Sequence, residues 1–531
     1  MTSHRRIAAG ASVALAVLGV TACSKAPSGT LARSLAPATM SRIGTVDERF
    51  QSYNIEMLEV TGGNFWKPYG ERPDAVSKPV QTSSSVPAGM NPDMYQYRPP
   101  IDLTNLRRRR LAAALGPAYV RVSGTWANTT YFYDATGPAP KSPPSGFNGV
   151  LTRQQWKRVV DFSNVVDAKI VTSFATGVGT RDAAGVWTPR EARKVLAYTR
   201  SLGGSIAAAE FMNEPTIASM GGAPKGYDAA AYGRDLAVFR PFIKKSAPDM
   251  VILGPGSVGE GGALGLPPGR SLKSEDLLKA TGPIFDAFSY HFYGAVSKRC
   301  ASMGAQATTT EDAALSDEWL SRTDTVEAFY AALRNRFEPG KPLWITETAD
   351  AACGGNPWAA TFLDTFRYLN QLGSMAQRGV QVVMHNTLDA SDYGLLDENT
   401  LAPRPNYWAA LLWRKLMGTT VLNPDISPAP GLHLYAHCLR DQPGGVTVLV
   451  INANRSVSQS LDVPMAGERF TITAGNLLRG QVQLNGNELG LGAGDALPLL
   501  TGMPTQAGTL TFPPASITFL ALPNANNSSC R

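Results

Sequence analysis

Short apolar segments alternate with longer amphipathic ones from about residue 46 to residue 415, and this alternation constrains the fold most strongly. Short apolar runs bounded by turn residues are typical of buried strands, whereas the longer segments carry the periodicity of helices. Eight strands are predicted, at 53–60, 118–122, 168–174, 206–211, 251–254, 287–290, 342–346 and 380–384. Repeated strand-then-helix units predict an α/β fold, and eight of them predict a (β/α)8 TIM barrel spanning 46–418.

Six amphipathic segments between these strands are predicted to be helices. They lie at 103–115, 153–166, 189–201, 227–246, 323–337 and 358–372. The first is followed by Gly116 and Pro117. Glycine accommodates the left-handed cap of a helix and proline cannot continue one, so this helix is expected to stop there.

The pattern changes after about residue 419. Segments at 432–436, 446–452, 459–463, 469–474, 480–484, 509–512 and 516–520 tend to alternate apolar and polar residues, with turn-forming residues between them. Such short, evenly spaced strands without helices are typical of a β-sandwich. We therefore predict a second, C-terminal domain at 419–531.

The N-terminus has the features of a targeting segment. Arg5 and Arg6 precede an apolar run that ends in small residues directly before Cys23. The run is too short to span a bilayer and is typical of a signal peptide, predicted at 1–22. A cysteine at this point resembles the lipidation site of a bacterial lipoprotein, although an ordinary signal peptide with a chance cysteine remains open. Residues 23–45 would then form a tether on an exported protein in the bacterial periplasm or on the cell surface.

Composition excludes several classes of protein. Charged residues make up 17% and hydrophobic residues 44% of the 531 residues, which excludes a disordered polyelectrolyte. The net charge of +7 is too small to indicate nucleic-acid binding. Beyond the N-terminus no apolar run reaches the roughly 18–20 residues of a membrane span, so membrane contact is expected only through the lipid. A monomer without cofactor or metal is expected.

Four cysteines remain when Cys23 is set aside. A bond between Cys438 and Cys530 would join the C-terminus to the start of the strand-rich segment, and we predict this pair. The other two, Cys300 and Cys353, are left either as a second disulfide or as free thiols. Export past the inner membrane would permit both bonds.

Two glutamates follow strands that lie on opposite sides of the predicted barrel. Asn213-Glu214-Pro215 comes after strand four, and Glu347 follows strand seven. Catalytic groups of such barrels lie at the C-terminal ends of the strands, so the two carboxylates are expected to meet across the mouth. A carboxylic acid opposite a carboxylate suits glycoside cleavage, in which the leaving oxygen needs a proton and the anomeric carbon needs negative charge or a nucleophile. Asn213 is placed to bind a sugar 2-hydroxyl.

Further segments combine with these motifs into a family resemblance. Asn213-Glu214-Pro215 and the segment 344–348 resemble the acid/base and nucleophile motifs of the heparanase-like β-glucuronidases, glycoside hydrolase family 79. Further similar segments are 118–125, 289–293, 397–399, 405–408, 434–438 and 482–486. The resemblance implies a retaining hydrolase of glucuronides with Glu214 as acid/base and Glu347 as nucleophile. It also implies that part of 39–49 adds a strand to the sandwich.

The resemblance assigns further roles residue by residue. Glu56 and Thr125 correspond to positions that contact the sugar, and His291 and Tyr293 to positions that flank the nucleophile. Backbone N–H groups of Gly354 and Gly355, with the phenol of Tyr393, would bind the uronic carboxylate. For His291, a hydrogen-bonded core histidine is an equally good interpretation.

One departure from the family affects the substrate. Ser391 and Asp392 replace the Gly-Asn pair that the family tends to have before Tyr393. An aspartate beside a carboxylate site opposes uronate binding unless it points away. Two alternatives therefore stay open, a retaining glycosidase for neutral β-glycosides and a catalytically silent glycan-binding lipoprotein. Endo or exo action, natural substrate and sulfation preference also stay open.

Two other clusters of charge need an interpretation. Glu210 shares the strand parity of Glu214 and is expected to be either a buried carboxylate that supports the site or a core residue paired with an arginine. The four consecutive arginines at 107–110 point all around a helix, so a solvated surface is a better interpretation than a heparin-binding patch.

Overall fold

The computed structural model describes residues 33–69, 87, 90–265, 271–303, 308–427 and 429–531. The predicted signal peptide at 1–22 and Cys23 lie outside these ranges. Within them, none of the helices combines the length and the apolar character needed to cross a bilayer.

Eight parallel strands close into a barrel, which confirms the predicted TIM-barrel fold. They are β1 (Gln51–Glu56), β2 (Ala118–Ser123), β3 (Ala168–Ser173), β4 (Ile206–Glu210), β5 (Val251–Ser257), β6 (Ala287–Val296), β7 (Leu343–Ala352) and β8 (Val380–His385). The strands pair in chain order and β8 closes on β1. Their C-terminal ends therefore share one mouth.

Nine α-helices occur within the described ranges, and most of them lie between consecutive barrel strands. They are Met57–Thr61, Leu106–Ala114, Arg153–Val165, Arg190–Ser201, Ala229–Ser246, Ser274–Thr281, Asp317–Phe337, Phe362–Gln377 and Pro405–Leu416. The first and last of these and Ser274–Thr281 were not among the predicted helices. Ser274–Thr281 is only eight residues long, too short to give a clear helical period.

The first predicted strand was too long. The prediction at 53–60 runs into a helix, because β1 ends at Glu56 and Met57–Thr61 is helical. The backbone N–H of Glu56 donates to the carboxylate of Glu59 at 2.7 Å, which forms a capping box that starts the helix. Apolar content alone did not distinguish the buried strand from the buried helix.

Strands β6 and β7 are longer than predicted. Each has ten residues, and both continue past the polar residues at which the apolar pattern stops. Glu347 consequently lies inside β7 rather than just after it, and His291 and Tyr293 lie inside β6. Polar side chains at the mouth end of the barrel face the site, so they interrupt the apolar pattern without ending the strand.

The C-terminal region is a sandwich of a nine-stranded sheet and a three-stranded sheet, antiparallel except where Arg33–Ser34 pairs in parallel with Gln459–Val463. The strands from this region are Met417–Leu422, Leu432–Leu439, Val446–Asn452, Gln459–Val463, Gly467–Thr473, Gln483–Leu484, Asn487–Glu488, Met503–Thr505, Gly508–Phe512 and Ser516–Leu522. Segments ahead of the barrel complete both sheets. Arg42–Thr45 pairs with Met417–Leu422, as the expected strand within 39–49 would, and Arg33–Ser34 pairs with Gln459–Val463.

Two disulfides are present. Cys438 and Cys530 are bonded, which ties the C-terminus to strand Leu432–Leu439. Cys300 and Cys353 are bonded as well, across 53 residues of sequence. The second bond joins the loop after β6 to the loop after β7, at the mouth of the barrel.

The arginine run at 107–110 is only partly solvated, because Arg110 is exposed and Arg107 and Arg109 are half-buried. Arg108 is buried and its Nε lies 2.6 Å from the carboxylate of Asp389, in the loop after β8. Arg107 lies 3.5 Å from Asp495 of the sandwich. The helix lies between the barrel and the sandwich, so that these two arginines each pair with an acidic residue on a different side.

Candidate active site

Glu214 lies in the loop after β4. Its backbone has a φ of +50°, and Pro215 starts a short 3₁₀ helix directly behind it. Asn128 holds the preceding residue from both sides: its amide donates to the carbonyl of Asn213 at 3.0 Å and accepts the Asn213 N–H at 2.9 Å. The position of the Glu214 side chain is therefore fixed by the loop and not by the strand.

Glu347 is buried in β7 and accepts two strong hydrogen bonds. Arg121 of β2 donates to one carboxylate oxygen at 2.7 Å, and the hydroxyl of Tyr293 donates to the other at 2.6 Å. Both donors come from barrel strands, so the carboxylate is held rigidly. Donors of this kind stabilise the ionised form.

The fold brings the two glutamates and His291 together. A carboxylate oxygen of Glu214, one of Glu347 and Nδ1 of His291 all lie within 4.8 Å of one another. The Nδ1 atom is 3.1 Å from Glu214 and 3.8 Å from Glu347. Two residues 133 positions apart in sequence thus face a single small space.

The two carboxyl groups have opposite pKa shifts. Burial raises the pKa of Glu214, the nearby charge of Glu347 adds to this, and the hydrogen bond from His291 only partly opposes it. Burial also acts on Glu347, but His291, Arg121 and the Tyr293 hydroxyl outweigh it and hold its pKa below the usual value. The pair therefore favours a protonated Glu214 beside an ionised Glu347.

Arg121 connects the site to a third carboxylate. Its guanidinium lies 2.9 Å from Glu210, which is fully buried and also accepts hydrogen bonds from Ser289 and Thr346. Burial would raise the pKa of Glu210, but Arg121 and His291 lower it. The expected partnership of Glu210 with an arginine is present. Arg121 also donates to the side-chain oxygen of Asn213 at 2.7 Å, which orients this amide beside Glu214.

Glu56 and Tyr393 meet on the opposite side of the site. The amide of Asn386 donates to Glu56 at 3.2 Å and lies 3.2 Å from the Tyr393 hydroxyl and 3.1 Å from that of Tyr293. Burial and the charge of Glu347 raise the pKa of Glu56. Gly124 has a φ of +97°, and a Cβ there would overlap the Glu56 carboxylate, so only glycine fits.

Gly354 and Gly355 form a turn after β7 with φ values of +81° and +84°. Among the described residues, neither amide N–H has a hydrogen-bond partner. Tyr393 lies against this turn, since a Cβ on Gly355 would be 3.2 Å from its ring. Two amide N–H groups without a partner in the described structure, beside a phenol, are donors suited to an anion.

Thr125 and Asp392 complete the predicted set. Thr125 is half-buried at the start of the 3₁₀ helix after β2, and it adjoins Gly124. Asp392 lies 2.7 Å from Arg299 of the loop after β6. Burial raises the pKa of Asp392 to about 6, against the effect of Arg299. The charge of this unexpected aspartate is therefore compensated.

Four residues of the site were not predicted from the sequence: Arg121, Asn128, Arg299 and Asn386. Arg121 left a signal, because it is a lone charged residue in the middle of an otherwise apolar strand. Glu210 is a charged residue of opposite sign at the end of another apolar strand, which indicates a partner for Arg121. Asn128, Arg299 and Asn386 lie in loops or just past a strand end, where no periodicity marks them.

One group among the described residues could approach a metal ion with three ligand atoms. It consists of Glu214, His291 and Glu347. The guanidinium of Arg121 already binds the Glu347 carboxylate and places a positive charge beside it. This cation competes with a metal for the same oxygens, so the group is better suited to acid–base work.

The sequence is similar to known glycoside hydrolases. The pattern for "Glycosyl hydrolase family 79, N-terminal domain" matches residues 140–373. Over these residues the chain is similar to this family. The matched segment is that of a glycoside hydrolase. Heparanase of Mus musculus is 31% identical over 367 residues, which are 65% of this chain and 64% of the mouse protein. Hyaluronoglucuronidase of Hirudo nipponia is 26% identical over 81% of this chain and 92% of the leech protein.

A solved structure supports the architecture of this chain. The 4-O-α-L-rhamnosyl-β-D-glucuronidase of Fusarium oxysporum superposes with a TM-score of 0.60 at 13% identity. The match covers 92% of this chain and 99% of the fungal one. At this identity the likeness concerns the fold, and it extends over the barrel and the sandwich together.

Proposed function

We propose that this protein hydrolyses β-linked glucuronides with retention of configuration, as an exo-β-glucuronidase or a heparanase-like endo-β-glucuronidase. The observation that carries the proposal is the pairing of Glu214 and Glu347. Their nearest oxygens lie within 4.8 Å, with pKa values shifted in opposite directions. Retaining glycosidases separate their carboxyl groups by about 5–5.5 Å, whereas inverting enzymes need about 6.5–9.5 Å to admit a water.

In the first step, Glu214 gives its proton to the glycosidic oxygen while an oxygen of Glu347 attacks the anomeric carbon. The bond from that carbon to the leaving oxygen breaks, and an ester between the sugar and Glu347 forms. Glu214 is left ionised. Arg121 and Tyr293 hold Glu347 in position and ionised before the step, so attack needs no reorganisation of the nucleophile.

In the second step, a water molecule replaces the leaving group. The ionised Glu214 takes a proton from this water, and the water oxygen attacks the anomeric carbon. The ester bond to Glu347 breaks, which restores both carboxyl groups and gives a sugar with its original configuration. Asn213, oriented by Arg121, supports both steps by binding the 2-hydroxyl.

The uronic carboxylate of the substrate would lie against Gly354, Gly355 and Tyr393. Two amide N–H groups without a partner in the described structure and one phenol favour an anion there. Glu56 and Thr125 lie where they can contact sugar hydroxyls. The relatives' printed names, heparanase and hyaluronoglucuronidase, point to the same class of substrate.

The direct test compares aryl β-glucuronide with aryl β-glucoside and aryl β-xyloside. We expect turnover of the glucuronide to be strongly preferred. Trapping with a mechanism-based uronic inhibitor, followed by peptide mapping, should place the label on Glu347. Preference for the neutral glycosides would instead support the neutral-sugar alternative, and glycan binding without turnover would support a silent binding protein.

We also propose that the chain is exported and lipid-anchored at Cys23. The basis is the sequence of the first 23 residues, in which two arginines and an apolar run precede small residues and a cysteine. Fractionation of cells expressing the full chain should place it with membranes, and Cys23→Ser should release it. A Cys23→Ser variant that stays membrane-bound would contradict the anchor.

A further inference from the structure

Asp392 and Arg299 form a nearly buried ion pair at the barrel mouth. The guanidinium Nη2 lies 2.7 Å from the Asp392 carboxylate, and the two side chains are only 9% and 10% exposed. Arg299 also donates to the carbonyl of Lys67 and lies over the ring of Tyr69, 4.0 Å from its centroid. The N–H of Tyr69 points at the same carboxylate, at 3.3 Å.

This ion pair is attached directly to the glycine turn. The N–H of Asp392 donates to the carbonyl of Gly354 at 3.3 Å, and the hydroxyl of Ser391 donates to the same carbonyl at 2.9 Å. On the other side, Cys300 directly follows Arg299 and is bonded to Cys353, which directly precedes Gly354. Both members of the ion pair are therefore anchored to the two amides proposed to bind the uronic carboxylate.

The electrostatic consequence follows from burial. An uncompensated carboxylate within several ångströms of a second carboxylate repels it strongly when little water lies between them. In the ion pair, the negative charge of Asp392 is cancelled by a guanidinium that is fixed by further contacts. Removing either member changes the net charge beside the glycine turn by one unit, in opposite directions.

We propose that Arg299 is a specificity-determining residue, which acts through Asp392 to let the site accept a carboxylate-bearing sugar. The inference rests on the proposed glucuronidase function. The aspartate would exclude uronates by itself, and the arginine cancels that effect. Arg299 does not touch the reacting atoms, so it is a positioning residue for charge and not a catalytic one.

The experiment is a charge series in the full chain, assayed over a pH range that extends well above 8. The pKa of Asp392 is about 6 in the wild type, and the loss of Arg299, which lowers that pKa, raises it further. The variants are compared at the pH above which the KM of Arg299→Met stops changing, where Asp392 is ionised. Arg299→Met leaves one negative charge, the double variant Arg299→Met with Asp392→Asn leaves none, and Asp392→Asn leaves one positive charge. We expect the KM for aryl β-glucuronide to rise about tenfold or more in Arg299→Met. It should return to within about threefold of wild type in the double variant and fall below wild type in Asp392→Asn.

A structural role for Arg299 would give a different result. Such a role predicts a lower kcat as well as a higher KM, the same loss on the neutral methyl ester of the substrate, and no rescue by Asp392→Asn. Any of these would overturn the inference. Asp392→Asn keeps Arg299 and its other contacts, so its effect on KM tests the inference even if Arg299→Met fails to fold.

Arg108→Met is the matched control. It breaks another buried ion pair on the loop after β8, with Asp389, whose side chains are 9% and 3% exposed. We expect its ratio of glucuronide to methyl-ester cleavage to match wild type, and an equal change in this ratio would overturn the inference. If the wild type cleaves no glucuronide, the proposed function itself is wrong. If the wild type cleaves glucuronides but the KM is the same in all variants of the charge series, the proposed function stands and only the role of Arg299 is wrong.

Discussion

The surroundings of Glu347 and of Glu214 differ although both side chains are buried. Glu347 lies within a strand and accepts hydrogen bonds from Arg121 and Tyr293, whose positions are fixed by neighbouring strands. Glu214 lies in a loop and has one nearby donor, Nδ1 of His291. The exposures are 5% and 8%, so burial alone does not distinguish the two groups.

The difference shows how one fold assigns two roles to one residue type. Burial raises the pKa of any carboxyl group, and the nearby positive charges together with the hydrogen-bond donors decide whether this rise survives. Two strong donors and a nearby imidazole reverse it at Glu347, whereas one donor does not reverse it at Glu214. The region around Glu347 therefore suits a nucleophile and the region around Glu214 suits an acid.

The largest effect is expected from Glu347→Gln. An amide cannot form the glycosyl ester, so we expect kcat to fall by about 10⁴-fold or more on every substrate. Rates with aryl β-glucuronides of different leaving groups, and mass spectrometry of the trapped enzyme, check this. A covalent glycosyl-enzyme in this variant would show that Glu347 is not the nucleophile and that the roles of the two glutamates are exchanged.

Glu214→Gln should have a smaller effect that depends on the leaving group. A poor leaving group needs the proton, so we expect its kcat/KM to fall by about 10²–10⁴-fold, while an activated phenol loses much less in the glycosylation step. A series of aryl glucuronides ordered by phenol pKa measures this slope. Equal losses across the series would contradict the role of Glu214 as acid.

The fold was largely predictable because the barrel strands are apolar and their spacing is regular. Prediction failed where buried residues broke that rule. Met57–Thr61 is an apolar helix that was predicted as part of a strand. The ends of β6 and β7 at the barrel mouth are polar, and both strands were predicted to end before them. In each case the tertiary surroundings, and not local composition, decide the element.

The candidate site was predictable to the extent that its residues share a motif. Glu214, Glu347 and Asn213 follow from strand ends, and the other predicted contacts came from the family resemblance. Arg299 and Asn386 could not be found in this way, because their partners Asp392 and Glu56 lie on other elements far away in sequence. Only the closed barrel brings such residues together.

Tyr293→Phe should make the surroundings of Glu347 more like those of Glu214. The hydroxyl donates to Glu347 at 2.6 Å, and a hydrogen bond to a charged group contributes about 1.5–3 kcal/mol. We expect kcat/KM to fall by about 10- to 100-fold. Because Glu347 must be ionised and loses a donor, its pKa should rise, and the acidic limb of the pH profile should move to higher pH. An unchanged acidic limb would mean that the hydroxyl does not help to hold Glu347 ionised.

His291→Gln should have the smallest effect on the maximal rate and the most informative effect on pH dependence. Burial and Arg121 lower the pKa of His291, but Glu347, Glu210 and Glu214 raise it to about 9, so the ring carries positive charge at neutral pH. That charge lowers the pKa of both catalytic carboxyl groups. Glutamine keeps a donor without the charge, so both pKa values should rise.

The expected result is that the whole bell-shaped profile of kcat/KM moves to higher pH by about one unit. The acidic limb moves because Glu347 becomes harder to ionise, and the basic limb moves because Glu214 keeps its proton longer. Tyr293→Phe is the matched control, since it is expected to move the acidic limb most. If both limbs of His291→Gln stay in place, the ring is neutral in the free enzyme, and the contrast between the two glutamates depends on Arg121 and Tyr293 alone.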